Sequence, residues 1–145
     1  MRRTIALLLP LAILLLALAR PSSATTDAFK IIVHPDNPMT SVDREFIRRA
    51  FLRKTLEWGN GKGIRPVDLT QPANVRERFT REVLKKTPSQ LRSYWTQQIF
   101  SGKGAPPDAR DSVEAVIAYV LENPGAVGYL PAETKHGRAK VVTLQ

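Results

Sequence analysis

Apolar residues recur in this chain with two periods, and the switches between them outline the fold. Phe29-Lys30-Ile31-Ile32-Val33 is a β-branched run that reads as a buried first strand. The two prolines of His34-Pro35-Asp36-Asn37-Pro38 end it, because proline cannot donate to a ladder. Thr40-Ser41-Val42-Asp43 then offers several N-cap oxygens. Phe46, Ile47, Ala50 and Phe51 fall on one face of the helix that follows, with Arg44, Arg48 and Arg49 turned away. The turn cluster Trp58-Gly59-Asn60-Gly61-Lys62-Gly63 returns the chain to a second strand, Ile64 to Leu69. Thr70-Gln71-Pro72 bends it into a helix of about four turns reaching Lys86, on which Val75, Phe79 and Val83 recur at helical spacing.

Thr87 is a natural cap and Pro88 suits the first position of a third helix, striped by Leu91, Tyr94, Trp95 and Ile99. Ser101 to Pro107 is a loop. Asp111-Ser112 caps the clearest helix, where Val113, Val116, Ile117, Val120 and Leu121 follow the helical repeat without a miss. Asn123-Pro124-Gly125 stops it. Ala126 to Leu130 and Lys140 to Leu144 read as strands, separated by a polar turn around His136-Gly137. The order β-α-β-α-α-α-β-β predicts an α/β fold with a single mixed β-sheet flanked by helices.

The first residues change the picture. Met1-Arg2-Arg3 is a basic lead, Ile5 to Ala19 an apolar core, and Ser22-Ser23-Ala24 a small-residue exit of the kind a signal peptidase cuts. A membrane anchor is the rival reading, but this apolar run holds Pro10 and falls short of the ~20 residues a spanning helix needs. The expected organisation is a signal peptide over 1–24, a disordered lead over 25–28, and one domain over 29–145. The expected location is the periplasm, with no membrane association after cleavage. Of the 22 basic residues the leader carries Arg2, Arg3 and Arg20, so the remainder holds 19 against 13 acidic, a net +6.

That charge favours anionic partners in general. Nucleic acid is excluded by the compartment and by the lack of a basic stripe interleaved with stacking aromatics. Glu45–Arg49, Glu77–Arg81 and Glu82–Lys86 are spaced as solvated helix-face pairs, which accounts for much of the basic excess. Cysteine is absent, which removes disulfides, thiolate metal sites and thiol nucleophiles.

Candidate chemistry gathers at the bend after Leu69. In α/β sheets ligands collect at the carboxyl ends of strands, where a helix N-terminus presents unsatisfied N–H groups. Thr70, Gln71 and Asn74 bring hydroxyl and amide groups there, with ordinary capping as the competing role. Thr40 and Ser41 add hydroxyls from the mouth beside the first strand, under the same competition. His34 ends the first strand on the expected ligand side, yet a lone His lacks the partner that acid–base chemistry or a metal needs. Lys103 between two glycines follows a helix, without the spacing of a phosphate-binding P-loop. Trp58, Tyr94 and Trp95 are core aromatics by spacing. No nucleophile–base pair, paired carboxylate or cofactor motif is present, so the residues imply neither an enzyme nor a cofactor.

Three separated blocks carry a family resemblance: VHPDNPMTSVDREFIRRAFLRK at 33–54, SQLRSYWTQQIFSGKG at 89–104 and VEAVIAYVLENPGAVGYLP at 113–131. Together they resemble the second lobe of the phosphate-binding proteins of ABC importers, and especially their short exported one-lobe relatives. The resemblance implies one lobe of a type II periplasmic-binding-protein fold, with a phosphate loop at the bend. There the family ends its strand with Arg and opens its helix with Gly-Ser-Gly-Thr. Aligned through Arg76-Glu77 and Phe79, this chain has Leu69 for the Arg, Pro72 and Asn74 for the glycines, Ala73 for the serine and Val75 for the threonine. These changes remove a bidentate cation, hydroxyl partners and a backbone N–H.

A single lobe also offers half a site, open to water. Such a protein binds its oxyanion weakly, dimerises to rebuild a cleft, or binds an envelope, transporter or sensor protein instead. The expected function is a non-enzymatic solute-binding domain with phosphate or another small oxyanion as its weak ligand. The alternative is a periplasmic interaction module that keeps the fold without a ligand.

Overall fold

The computed structural model describes residues 28–145; the leader and the lead before Ala28 lie outside the described residues. The elements are β1 (Phe29–Val33), β2 (Ser41–Val42), α1 (Arg44–Phe51), β3 (Arg65–Leu69), α2 (Ala73–Glu82), α3 (Pro88–Phe100), β4 (Asp108–Arg110), α4 (Val113–Glu122), β5 (Ala126–Pro131) and β6 (Lys140–Leu144). They form the single mixed sheet flanked by helices that the periodicity predicts. Its order is β2-β6-β1-β5-β3-β4.

Strand direction decides where a site can lie. β3 runs parallel to β4 and β5, and β2 parallel to β6. β1 runs antiparallel to both of its neighbours, β5 and β6. The end of β1 therefore points away from the end of β3. The two strands the periodicity does not predict, β2 and β4, are short edges of two and three residues. Too short to show an alternation, they are held by backbone pairing, Ser41 opposite Thr143 and Val67 opposite Asp108.

Local chemistry sets the helix ends. Asp43 caps α1 by accepting from the N–H groups of Glu45 and Phe46. Thr87 and Gln90 form a reciprocal capping box at the start of α3, with Pro88 in its first turn. Ser112 caps α4. α2 stops at Glu82, a turn earlier than its apolar repeat predicts, and Lys85 then adopts a positive φ of 56°. Lys86 is off the helix, so Glu82 pairs backwards with Arg78 at 2.7 Å. Glu77 pairs with Arg81 as expected, whereas Glu45 takes Arg48, three residues on, rather than Arg49.

The core lies on both sides of the sheet. β5 is buried along nearly its whole length, and alternate residues serve opposite layers. Tyr129 meets α1 and α2 through Phe51 and Phe79. Gly128 faces α4: a Cβ there would lie 2.9 Å from Val67 Cγ1 and 3.0 Å from Val116 Cγ1. At Gly125 a Cβ would sit 1.9 Å from the Gly63 carbonyl oxygen, in the crossing where Trp58 Nε1 donates to the Gly125 carbonyl at 3.0 Å. Both glycines of the Pro-Gly-Ala-Val-Gly-Tyr run are thus demanded by close approach.

Overpacking of this kind costs about 1–3 kcal/mol. Gly128→Ala is expected to lose that much in urea unfolding, and Gly125→Ala more, because a backbone carbonyl cannot swing aside as a side chain can. Gly59→Ala, with open space around its Cβ, should stay within about 0.5 kcal/mol of the parent.

Candidate functional site

The bend after β3 is exposed, as a ligand mouth requires: Gln71, Pro72, Ala73 and Asn74 are all open to solvent. The Gln71–Pro72 peptide is cis. Pro72 is the N-cap of α2, and its side chain offers no acceptor to the first N–H groups, so Thr70 is not the cap residue. Thr70 instead extends the β3–β4 ladder. Its N–H donates to the Arg110 carbonyl at 2.8 Å, and its hydroxyl reaches the same oxygen at 3.3 Å.

Beneath the bend lies a polar cluster that pattern reading passes over. Asp68, on β3, accepts from Arg76 Nε at 2.9 Å and from a second nitrogen of the same guanidinium at 2.7 Å, both on Oδ2. Its other oxygen, Oδ1, accepts from the Tyr129 hydroxyl at 2.5 Å, and that hydroxyl lies 3.0 Å from the Leu69 carbonyl. The Tyr129 ring stacks on Phe79 at 3.9 Å. Burial pushes the Tyr129 phenol well above its ordinary value, and the adjacent Asp68 carboxylate adds to the rise. For Arg76, burial pulls down on the guanidinium while Asp68 lifts it, and the net shift is upward. The cluster holds a neutral ion pair where a free cation would favour an anion.

A groove of about 670 Å³ opens from this cluster and runs between α2 and α3. Asp68, Thr70, Gln71 and Arg76 line its polar end; Leu91, Trp95 and Ile99 line its apolar end. Among the described residues no group of three His, Asp or Glu side chains could hold a metal ion. No helix among them is long and apolar enough to cross a membrane.

The sequence-predicted residues do not assemble into one site. Thr70, Gln71 and Asn74 lie together at the bend. Thr40 and Ser41 lie level with it along the strands but on the far side of the sheet. β6, β1 and β5 intervene between β2 and β3, a separation of roughly 19 Å at the usual strand spacing. His34 lies at the opposite end of the sheet, because β1 runs against β3. Its Nδ1 accepts from the Asp36 N–H at 3.1 Å and its carbonyl accepts from the Asn37 N–H at 3.0 Å, a turn-forming role. Trp58 is buried as predicted, whereas Tyr94 and Trp95 are half-buried. Lys103 sits in an exposed turn between Gly102 and Gly104.

Asp68 and Tyr129 carried one readable signal. Each places a polar group inside an apolar strand, Pro-Val-Asp-Leu and Ala-Val-Gly-Tyr-Leu, and buried polar groups require partners. What the sequence does not show is that the two strands are neighbours.

The sequence matches no family profile and no curated protein. Solved structures do share the fold. An ABC-type phosphate transport receptor from Vibrio cholerae superposes with a TM-score of 0.63 at 20% identity, over 82% of this chain and 48% of its own. PstS from Borrelia burgdorferi gives 0.61 at 12% identity, over 81% of this chain and 47% of its own. The chain carries a fragment of the fold of phosphate ABC transporter substrate-binding proteins, spanning just under half the length of these two.

The Tyr129 shift has a pH consequence. The unfolded phenol ionises near pH 10, whereas the folded one resists, so the unfolded state binds fewer protons above that pH. Its contribution is complete below about pH 10 and declines above it at about 1.4 kcal/mol per pH unit. Tyr129→Phe is expected to cost about 1–2 kcal/mol at neutral pH and to flatten the alkaline decline, both read from urea unfolding at stepped pH.

Proposed function

We propose that this chain is an exported, non-enzymatic solute-binding lobe that takes a small oxyanion such as phosphate weakly at the first turn of α2. Residues 1–24 serve in this reading as its export signal and the periplasm as its location. The observation that carries the reading is the exposed start of α2 at the carboxyl end of β3, where the N-cap Pro72 has no side-chain acceptor to give, in a fold shared with phosphate transport receptors. The first N–H groups of a helix have no intrahelical acceptor, and an anion is their natural partner. Gln71 and Asn74 stand exposed beside them.

Weakness follows from the cluster below. Arg76 is engaged by Asp68, the Thr70 hydroxyl is taken by Arg110, and Pro72 has no N–H to give. Backbone donors and neutral amides in an open site compete poorly with water. A second reading, an accessory module that binds a protein of the envelope, transporter or sensor machinery, is favoured by the same observation. An Arg satisfied internally leaves little for an anion to gain.

Thermal unfolding in the presence of phosphate and sulfate separates the two readings. Weak binding predicts a melting temperature that rises only at millimolar anion, with the rise reduced in Gln71→Ala and Asn74→Ala. Asp68→Asn, which releases Arg76, is expected to tighten phosphate binding about fivefold, equivalent to ~1 kcal/mol for a partly exposed cation. An unmoved melting temperature and no calorimetric heat at tens of millimolar anion would remove the ligand from the proposal.

A further inference from the structure

Charge is distributed unequally between the recesses of this surface. The groove between α2 and α3 is lined by two carboxylates, Asp68 and Glu77, and two guanidiniums, Arg76 and Arg92, so it selects neither sign. A second recess, of about 380 Å³, opens at the amino ends of β3 and β4. Arg53 lines it from the end of α1, Arg65 from the first position of β3 and Lys103 from the loop after α3. Asp108 is the one carboxylate set against these three cations. Arg65 and the bend lie at opposite ends of β3, roughly 13 Å apart at the usual strand rise.

The cations differ in what already holds them. The Arg65 guanidinium donates to Asn123 Oδ1 at 2.6 Å. Among the described residues neither the Arg53 nor the Lys103 side chain enters an ion pair or a hydrogen bond. Asp108 enters no ion pair either; its neighbour is the hydroxyl of Tyr119, which also interacts with Arg65. The main chain at Arg53 adds an independent sign. Its φ is 59°, a left-handed conformation that glycine takes without steric cost and arginine does not. Backbone strain of this kind is kept where the side chain it presents is used. Between the charges the lining is apolar, with Ile64 buried and Leu56 55% exposed.

We propose that this recess is a second binding site, for a small organic dianion of the phosphomonoester type. Its charged head meets Arg53 and Lys103, whose side chains have no internal carboxylate to leave, and its apolar body lies against Leu56. The excess of two positive charges in the lining matches a dianion, and charge-assisted hydrogen bonds from a guanidinium suit its oxygens. A recess of this volume exceeds what a bare inorganic anion fills, and apolar walls with a few polar groups are the usual make-up of a small-molecule site. The site owes nothing to anion binding at the start of α2, because it shares no residue with the bend.

Calorimetry with phenyl phosphate, on protein produced from the full-length chain, tests it. Phenyl phosphate is expected to bind more tightly than inorganic phosphate, and its affinity to fall about fivefold in Arg53→Gly and in Lys103→Gln. Asp108→Asn, which removes the opposing charge, should tighten it by a similar factor. Glycine suits the backbone at position 53, so Arg53→Gly should melt at or above the parent temperature, separating a lost site from a lost fold. Gln71→Ala and Asn74→Ala should leave phenyl phosphate affinity unchanged. No binding of phenyl phosphate by the parent overturns the proposal, as does affinity no greater than for inorganic phosphate. An equal loss in Lys135→Gln, an exposed lysine outside the recess, overturns it in favour of net charge alone. Loss in Gln71→Ala and Asn74→Ala with none in Arg53→Gly and Lys103→Gln overturns it in favour of the bend. Failure of inorganic phosphate to bind at the start of α2, with phenyl phosphate still lost in Arg53→Gly, leaves this site standing and removes only the earlier reading.

Discussion

Tyr129 joins the two halves of this structure's chemistry. Its ring packs within an aromatic cluster drawn from β1, α1 and α2, stacked on Phe79 and flanked by Phe29 and Phe51. Its hydroxyl leaves that cluster and donates to Asp68 on the adjacent strand. The apolar part fixes where α2 sits on the sheet. The polar part gives the Asp68 carboxylate a partner, and Arg76 supplies the other. Remove the phenol oxygen and a largely buried carboxylate loses one of its two contacts. Remove the ring and α2 loses its main platform. The start of α2, which opens the mouth at the end of β3, is positioned by both.

This arrangement has a functional cost and a structural use. An Arg one turn into a helix, beside a strand end, is well placed to hold an oxyanion. Here the guanidinium is already held by Asp68, so an incoming anion must compete with an internal carboxylate that pays no entropy of association. The same pair anchors α2 to β3 across the bend, where the N-cap is a proline with no side-chain acceptor. Elsewhere, at the end of α3, Ile99 and Phe100 are apolar side chains that the domain itself leaves open to solvent.

Much of the architecture was legible because it rests on local rules. The β-branched run at 29–33, the helical repeat at 113–121 and the cap at Thr87 appear as read, and of the cap oxygens offered at 40–43 and 111–112 the helices use Asp43 and Ser112. The misses are of one kind. β2 and β4 carry no periodicity of their own and exist because a neighbouring strand offers them partners. The end of α2 depends on a positive φ at Lys85 that its apolar spacing does not foretell. The grouping of His34 with the bend assumed a shared direction for the first strand and β3, and β1 runs the other way. Thr40 and Ser41 are level with the bend but lie at the other edge of the sheet, beyond β6, β1 and β5.

Spacing along the chain carried the elements, their caps, the mixed sheet and the exposed bend, since each follows from forces acting over a few residues. Which groups meet at that bend was settled by strand order and direction, which place Asp68 beside Tyr129 across 61 residues. No local pattern encodes that approach. It arises because burying β5 along its length requires β1 and β3 as neighbours, and only that enclosure brings the carboxylate, the phenol and the guanidinium together.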